Sequence, residues 1–309
     1  MSRILVTGVS GLLGLNFAMK VHGKAHQVIG VANTTPLTGV DFKCLQAELT
    51  EPGAVEKLLD QEQPDLILHC AAIANVDACE ANPTLAAEVN GVLPGRIAES
   101  ARRHDTQMVH ISTDAVFDGV RGHYSEDDDP NPLSVYARTK WEGENAVISA
   151  NPQALIARVN FYGWSTSGQR SLAEFFFNNL SAGKLVFGFS DVFFCPLEVT
   201  ILAETLLELA GTASSGIYHV VSSECLSKYE FGRRLADEFG LDAVLIQPAS
   251  VRDGGLVAAR SPNLQLRTDK LSAALGRQVP GQAAGLKRLH DAYLAGLPQR
   301  LQGLSVTNS

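Results

Sequence analysis

The chain is poor in the residues that build several kinds of protein. Five cysteines, Cys44, Cys70, Cys79, Cys195 and Cys225, are scattered through 309 residues and never form Cys-x-x-Cys. That pattern indicates neither a disulfide framework nor a zinc cluster, so all five are expected to be reduced thiols. No apolar run approaches the roughly 20 residues that cross a bilayer. Met1-Ser2-Arg3 leads straight into Ile4-Leu5-Val6 and a glycine turn, without the apolar region and cleavage site of a signal peptide. The expected location is therefore cytoplasmic. Basic residues are scarce as well: 25 Lys and Arg stand against 33 Asp and Glu, a formal charge of -8. With no Lys/Arg block to follow a phosphate backbone, nucleic acid is not an expected partner. Neither is a membrane, and a homodimer is compatible with the sequence.

What is present is an ordinary globular composition, 45% apolar with 27 Gly and 13 Pro spread along the chain, which excludes disorder. The length suits about two domains. Short apolar runs alternate with amphipathic stretches. Strands are predicted at Arg3–Thr7, Gln27–Val31, Asp65–Cys70, Gln107–Ser112 and Ala154–Val159, and helices at Leu13–Val21, Pro52–Leu59, Leu93–Arg103 and Tyr136–Ile148. Strand-helix alternation at this spacing means parallel strands joined by right-handed crossovers. The predicted fold class is α/β, a Rossmann-type doubly wound parallel sheet over residues 1–160. A smaller C-terminal α/β substrate-binding domain is expected over 161–309, with segments near 190–221 returning to the first. In that second half, helices are expected near Leu172–Leu180, Val199–Leu209 and Tyr229–Phe239 and a strand at Gly216–Val221.

Thr7-Gly8-Val9-Ser10-Gly11-Leu12-Leu13-Gly14 follows the first strand and opens the first helix, the context a phosphate-binding turn requires. Gly8 permits the tight turn, Gly11 lets a diphosphate approach the backbone, and Gly14 lets helix and sheet pack closely. The helix amides would then hold the diphosphate without a basic side chain. The second strand ends in Ala32-Asn33-Thr34-Thr35, with no acid for an NAD ribose and no arginine for a 2'-phosphate. Asn33 does not repel a phosphate, so the expected cofactor is NADP or NAD with a mild tilt to NADPH. Glu48 and Leu49 are candidates for the adenine edge, against the plainer reading of an exposed acid at a helix start.

Tyr136 and Lys140 stand one helical turn apart on one face, downstream of a strand end at Ile111-Ser112-Thr113-Asp114. A nearby ammonium favours phenolate, so Lys140 is expected to lower the Tyr136 pKa toward the range useful for proton transfer. Glu126-Asp127-Asp128-Asp129 offers adjacent carboxylates of a kind that suit a divalent cation. The following Pro130-Asn131-Pro132 favours a solvated loop instead, and no metal is expected. Phe175, Phe176 and Phe177 read as core and domain-interface packing rather than a ligand platform. His22 and His26 have helical spacing but no accompanying Glu, so they read as helix-end or surface residues.

Taken with His69-Cys70-Ala71-Ala72, Ser112–Gly119 and Tyr136-x-x-x-Lys140, the glycine turn resembles that of the extended short-chain dehydrogenase/reductases. Val76–Glu80, Asp118-Gly119, Asp191–Pro196 and Arg260–Thr268 narrow the resemblance to the dTDP-4-dehydrorhamnose reductase branch. This likeness implies that Thr113 holds a substrate carbonyl, Tyr136 protonates it and Lys140 holds the nicotinamide ribose. It implies cofactor contacts from Gly8, Ser10, Gly11, Leu12, Leu13, Gly14, Ala71, Ala72, Asn90 and Ser112. It also implies substrate contacts from Thr113, Asp114, Asn160, Phe161, Arg260 and Asn263, with Arg260 suited to a diphosphate. Where related dehydratases carry an Asp-Glu pair this chain has Asp114-Ala115, which disfavours elimination. Ala115 and Phe161 also depart from the branch's usual aromatic and Trp, and both changes touch the sugar pocket.

The expected function is NAD(P)H-dependent reduction of a keto group on a nucleotide-linked deoxy-sugar. Two alternatives remain. One is a dinucleotide-binding regulatory subunit, since the branch also resembles the non-catalytic subunit of methionine adenosyltransferase. The other is a nucleotide-sugar epimerase.

Overall fold

The computed structural model describes residues 2–23, 25–34, 37–212, 214–253 and 261–304. In the first half, strands β1 (Ser2–Thr7), β2 (His26–Ala32), β3 (Lys43–Gln46), β4 (Leu66–His69), β5 (Gln107–Thr113) and β6 (Leu155–Val159) alternate with helices. These are α1 (Leu12–Val21), α2 (Ala54–Glu62), α3 (Val76–Ala81), α4 (Pro83–Ala86), α5 (Leu93–Arg103) and α6 (Val135–Ala150). A π-helical turn, Ala87–Val92, joins α4 to α5.

The second half contributes β7 (Phe161–Tyr162), β8 (Val186–Phe189), β9 (Phe193–Phe194), β10 (Leu197–Glu198) and β11 (Gly216–Val220). Further on come β12 (Leu226–Ser227), β13 (Ile246–Ala249) and β14 (Asn263–Leu264). Its helices are α7 (Leu172–Ser181), α8 (Val199–Ala210), α9 (Lys228–Phe239), α10 (Asp269–Leu275), α11 (Gln282–Leu294) and α12 (Leu297–Gln302).

Among the described residues the main sheet has seven strands in the order β11-β6-β5-β4-β1-β2-β3, and every pairing is parallel. The order reverses at β1, so the crevice between β1 and β4 is the topological switch point where such sheets bind ligands. Strand residues alternate between two buried faces, as a sheet covered on both sides requires. Ile4, Val6, Val28, Leu66 and Leu68 face one core together with α1 and α8. Leu5, Ile29, Ile67, Met108 and Ile156 face the other, against α2 and α5. β11 comes from the second half yet lies beside β6 in this sheet.

The remaining strands form small sheets, β12-β9-β14, β8-β13 and β7-β10, that sit with α7, α9 and α11 near the carboxyl ends of the main strands. Phe176 is buried, Phe177 packs against Trp164, Phe239 and Tyr293, and Phe175 is exposed. His22 caps α1 and His26 opens β2, so their spacing is not helical. Asp128 pairs with Arg121, and Glu126 accepts from the His219 amide, which ties the acidic loop to β11.

One expectation is overturned outright. Cys195, between β9 and β10, is disulfide-bonded to Cys225 just before β12, although 30 positions separate them. The two small-sheet strands that they adjoin, β9 and β12, pair antiparallel, which brings the sulfurs together; spacing alone holds no record of that. Cys44, Cys70 and Cys79 are free thiols.

Candidate active site

Two adjoining hollows lie at the carboxyl edge of the main sheet. The first is a cleft of about 370 Å³ that runs from the glycine turn, past the ends of β2 and β3, to the loop after β4. Gly8 has φ +66, and a Cβ there would sit 2.7 Å from the Ala71 amide nitrogen. A Cβ on Gly14 would fall 2.5 Å from the Gly8 carbonyl oxygen. Side chains at either position would fill the space between the turn, α1 and β4, so the glycines are a steric requirement of the cradle. The Gly11 amide donates to the Gly8 carbonyl at 2.9 Å and closes the turn. The first-turn amides of α1 are left facing the cleft. Leu13 is buried in the core and Leu12 packs against it, so these two can reach a ligand only through their backbone.

Ser10, Asn33, Glu48, Leu49, Ala71 and Ala72 all line this cleft, as expected. The Glu48 carboxylate accepts from the Thr50 hydroxyl at 2.6 Å and also bonds Asn33, and these hydrogen bonds hold its pKa down. The Thr7 hydroxyl, a sequence-silent feature, bonds His69 Nδ1 at 2.7 Å and accepts from the Ala71 amide at 3.3 Å, fastening the cleft floor. Against expectation a basic side chain does reach the turn. Arg170, from the second half, lines the cleft and donates to the Ser10 carbonyl at 3.3 Å.

The second hollow, about 120 Å³, has Tyr136, Ser134, Ala115 and Asn160 on the sheet side. Val192, Phe193, Phe194, Lys228, Ser261 and Leu264 close it from the second half. Ser134 caps α6 by accepting from the Ala137 amide, which starts the helix one residue before Tyr136. The Tyr136 phenol lies beside the Thr113 hydroxyl at the end of β5. Burial pushes its pKa up to about 12, the Thr113 hydroxyl opposes that, and the Asp114 carboxylate adds to it. Lys140 does not lower it as the spacing suggested. Its buried ammonium donates to the Ile111 carbonyl at 2.7 Å and lies 3.5 Å from His110 Nε2. Burial draws the Lys140 pKa down to about 8, against the pull of Glu144 and Cys70. The helical register is as predicted, but the side chain takes a backbone partner that only the fold supplies.

Asp114 is buried beside this pair. Asn160 Nδ2 donates to it at 2.6 Å and the Thr113 hydroxyl at 3.1 Å, yet burial still raises its pKa to about 6. Thr113, Asp114, Tyr136 and Asn160 therefore come together as expected. Four other expected site residues have their side chains engaged by the protein itself. The Ser112 hydroxyl turns inward to Glu144, which forms a buried ion pair with Arg158 at 2.8 Å. Asn90 is fully buried in the π-helical turn, where it clamps the Ile73 backbone and Thr139 and so supports the cleft wall. Phe161 packs against the main core, because β7 pairs with β10. Asn263 packs on the turn at Gly122, and its neighbours Ser261 and Leu264 line the hollow in its place. Arg260 lies outside the described residues. Val192 lies in the Asp191–Pro196 stretch that carries the family resemblance, whereas Lys228 and Arg170 have no motif of their own. The capping box Ser227-x-x-Glu230 was the one local sign that Lys228 opens a helix.

A dinucleotide-type turn at the switch point, with a threonine, tyrosine and lysine set at the same sheet edge, defines an extended short-chain dehydrogenase/reductase, a class of NAD(P)-dependent oxidoreductases. Comparison narrows the class. The family model described as RmlD substrate binding domain matches residues 1–295, and the chain belongs to that family, the dTDP-4-dehydrorhamnose reductase branch. A probable low-salt glycan biosynthesis reductase of Haloferax volcanii is 35% identical over 292 residues, covering 93% of this chain and 97% of its own. Methionine adenosyltransferase 2 subunit beta of Bos taurus is 30% identical over 294 residues, covering 90% of this chain and 84% of its own. Among solved structures, a dTDP-4-dehydrorhamnose reductase from Clostridium acetobutylicum superposes with a TM-score of 0.83 at 27% identity, covering 94% of this chain and 99% of that one.

Proposed function

We propose that the protein is an NAD(P)H-dependent reductase of a keto group on a nucleotide-linked deoxy-sugar. The observation that carries this reading is the placement of Tyr136, beside Thr113, in the wall of a hollow that opens beside the glycine cleft and is roofed by the second half. The glycine cradle fits a dinucleotide, since a single Cβ at Gly8 or Gly14 would fill it. When bound, the nicotinamide supplies hydride. The residues of the chain then have separate tasks. Thr113 holds the carbonyl oxygen and Tyr136, kept protonated by burial, donates the proton to it. Lys140, anchored on Ile111, presents a cation beside the ribose position. Gly8, Ser10, Gly11, Asn33, Glu48, Leu49, Ala71 and Ala72 form the cofactor contacts, and Asp114 and Asn160 face the sugar.

In this reading residues 1–160 hold the cofactor and 161–309 mainly the substrate. Neutral Asn33 tilts the choice mildly to NADPH. Asp114 without a second carboxylate at Ala115 speaks against elimination. The likeness to the methionine adenosyltransferase subunit favours, as the second reading, a protein that binds the dinucleotide without turnover.

The test is a panel of nucleotide-linked 4-keto sugars with NADPH or NADH, followed by nicotinamide absorbance. Stoichiometric oxidation of the cofactor is expected, with Tyr136→Phe binding it normally and turning over nothing. Normal turnover by that variant would sink the mechanism, and binding without turnover by the native chain would favour the regulatory reading.

A further inference from the structure

Among the described residues that line the cleft, Arg170 is the only basic one. It is exposed, and one guanidinium nitrogen, Nη1, donates to the Ser10 carbonyl at 3.3 Å, which parks the charge on the glycine turn itself. A guanidinium carries five N–H donors, so a single carbonyl leaves it with further hydrogen-bonding capacity.

The backbone beneath it is unusually well held for a loop. Glu174, with no exposed surface, accepts from the Arg170 amide at 2.8 Å, the Ser171 amide at 3.0 Å and the Ser165 amide at 2.6 Å. Ser171 Oγ donates to the Gly163 carbonyl at 2.8 Å. Asn16, on α1, donates to the Trp164 carbonyl at 3.0 Å and to the Leu12 carbonyl at 2.8 Å, and so bolts this segment to the helix that opens the cradle. A buried carboxylate and a buried amide thus fix an arginine of the second half over the amides of the first.

We propose that Arg170 clamps the diphosphate of the bound dinucleotide from the side opposite the α1 amides. The inference rests on the cofactor reading above and extends it. A diphosphate carries about two negative charges, and a helix N-terminus offers only about half a positive one. A planar guanidinium matches phosphate oxygens bidentately and supplies the charge that the amides lack. Ser10 is a residue of the diphosphate turn, whereas the ribose end of the cleft is marked by Asn33 and Glu48. That placement selects the diphosphate over a 2'-phosphate. Cofactor binding would also tie the two halves of the chain across the cleft mouth.

The experiment measures the dissociation constants of NADH and NADPH by calorimetric titration at low and high salt. It compares the native chain, Arg170→Met, which keeps an apolar stem, and Arg170→Lys, which keeps the charge. Arg170→Met should weaken both cofactors about tenfold and flatten the salt dependence, and Arg170→Lys should recover part of each. Equal affinity of Arg170→Met and the native chain for both cofactors overturns the clamp and leaves the cofactor reading standing. Weakening confined to NADPH also overturns it, because the arginine would then read the 2'-phosphate. Failure of the native chain to bind either cofactor defeats the cofactor reading and the clamp with it. Thermal melting of each variant separates lost affinity from lost fold, and the exposed position of Arg170 predicts an unchanged melt.

Discussion

Replacing Asp114 by Asn tests the electrostatics of the buried carboxyl beside Thr113 and Asn160 directly. Asp114 is 3% exposed and accepts hydrogen bonds from Asn160 and Thr113, with Lys228 also favouring its charge. Burial outweighs these, and the pKa rises from its ordinary 3.8 to about 6. The folded chain therefore holds this proton more tightly than the unfolded chain does. The contribution to stability is fully present below about pH 4, and is lost as pH rises through about 6. Moving a carboxyl from 3.8 to about 6 corresponds to about 3 kcal/mol against the folded state at pH 8.

Asparagine is nearly isosteric and uncharged. Its amide oxygen can still accept from Asn160, and its amide nitrogen can donate to the Thr113 hydroxyl. Asp114→Asn should therefore be more stable than the native chain at pH 8 by about 1 to 3 kcal/mol, a rise of several degrees in Tm. The gain should vanish at pH 4. Thermal and urea denaturation of the ligand-free proteins at the two pH values reads it. A variant less stable at pH 8, or a difference of the same size at both pH values, would show that the carboxylate is not held at a cost and would refute the reasoning.

Two further outcomes follow from buried charge and from the cross-link. Arg158→Met leaves Glu144 buried with Ser112 as its remaining hydrogen-bond partner and the Lys140 ammonium nearby, and urea denaturation should show a loss of about 3 to 5 kcal/mol; a loss under about 1 kcal/mol would mean that Glu144 simply takes up a proton. Reduction, or Cys225→Ser, opens a 30-residue loop, and chain entropy sets the expected loss near 3 to 4 kcal/mol, visible as a lower Tm in reducing buffer. An identical Tm with and without reductant, with thiol titration finding all five cysteines free, would refute the bond.

Local signals made much of this molecule readable. Strand periodicity, the glycine turn and the placement of Tyr136 and Lys140 depend on residues within a few positions of each other, and the parallel sheet, cradle and α6 follow from them. The second half was less legible. Its short strands pair across long gaps, β8 with β13 and β9 with both β12 and β14, so no local alternation announces them. Helix α11 and the π-helical turn at Ala87–Val92 also passed unnoticed, the latter because a wide turn keeps the composition of an ordinary helix.

The sequence by itself determined the class of fold, the place where a dinucleotide can sit and the candidate hydroxyl, phenol and ammonium of Thr113, Tyr136 and Lys140. Tertiary structure decided their state. Tyr136 is raised and not lowered because burial surrounds the phenol while Lys140 turns to the Ile111 carbonyl. Ser112 and Asn90 serve buried networks because their partners, Glu144 and the Ile73 backbone, approach only once helices pack on the sheet. Arg170 reaches Ser10 across 160 positions, and Cys195 meets Cys225 through the pairing of two strands. Hydrogen bonds, desolvation and charge act through space over a few ångströms, so any contact between residues far apart in the chain is settled by the fold.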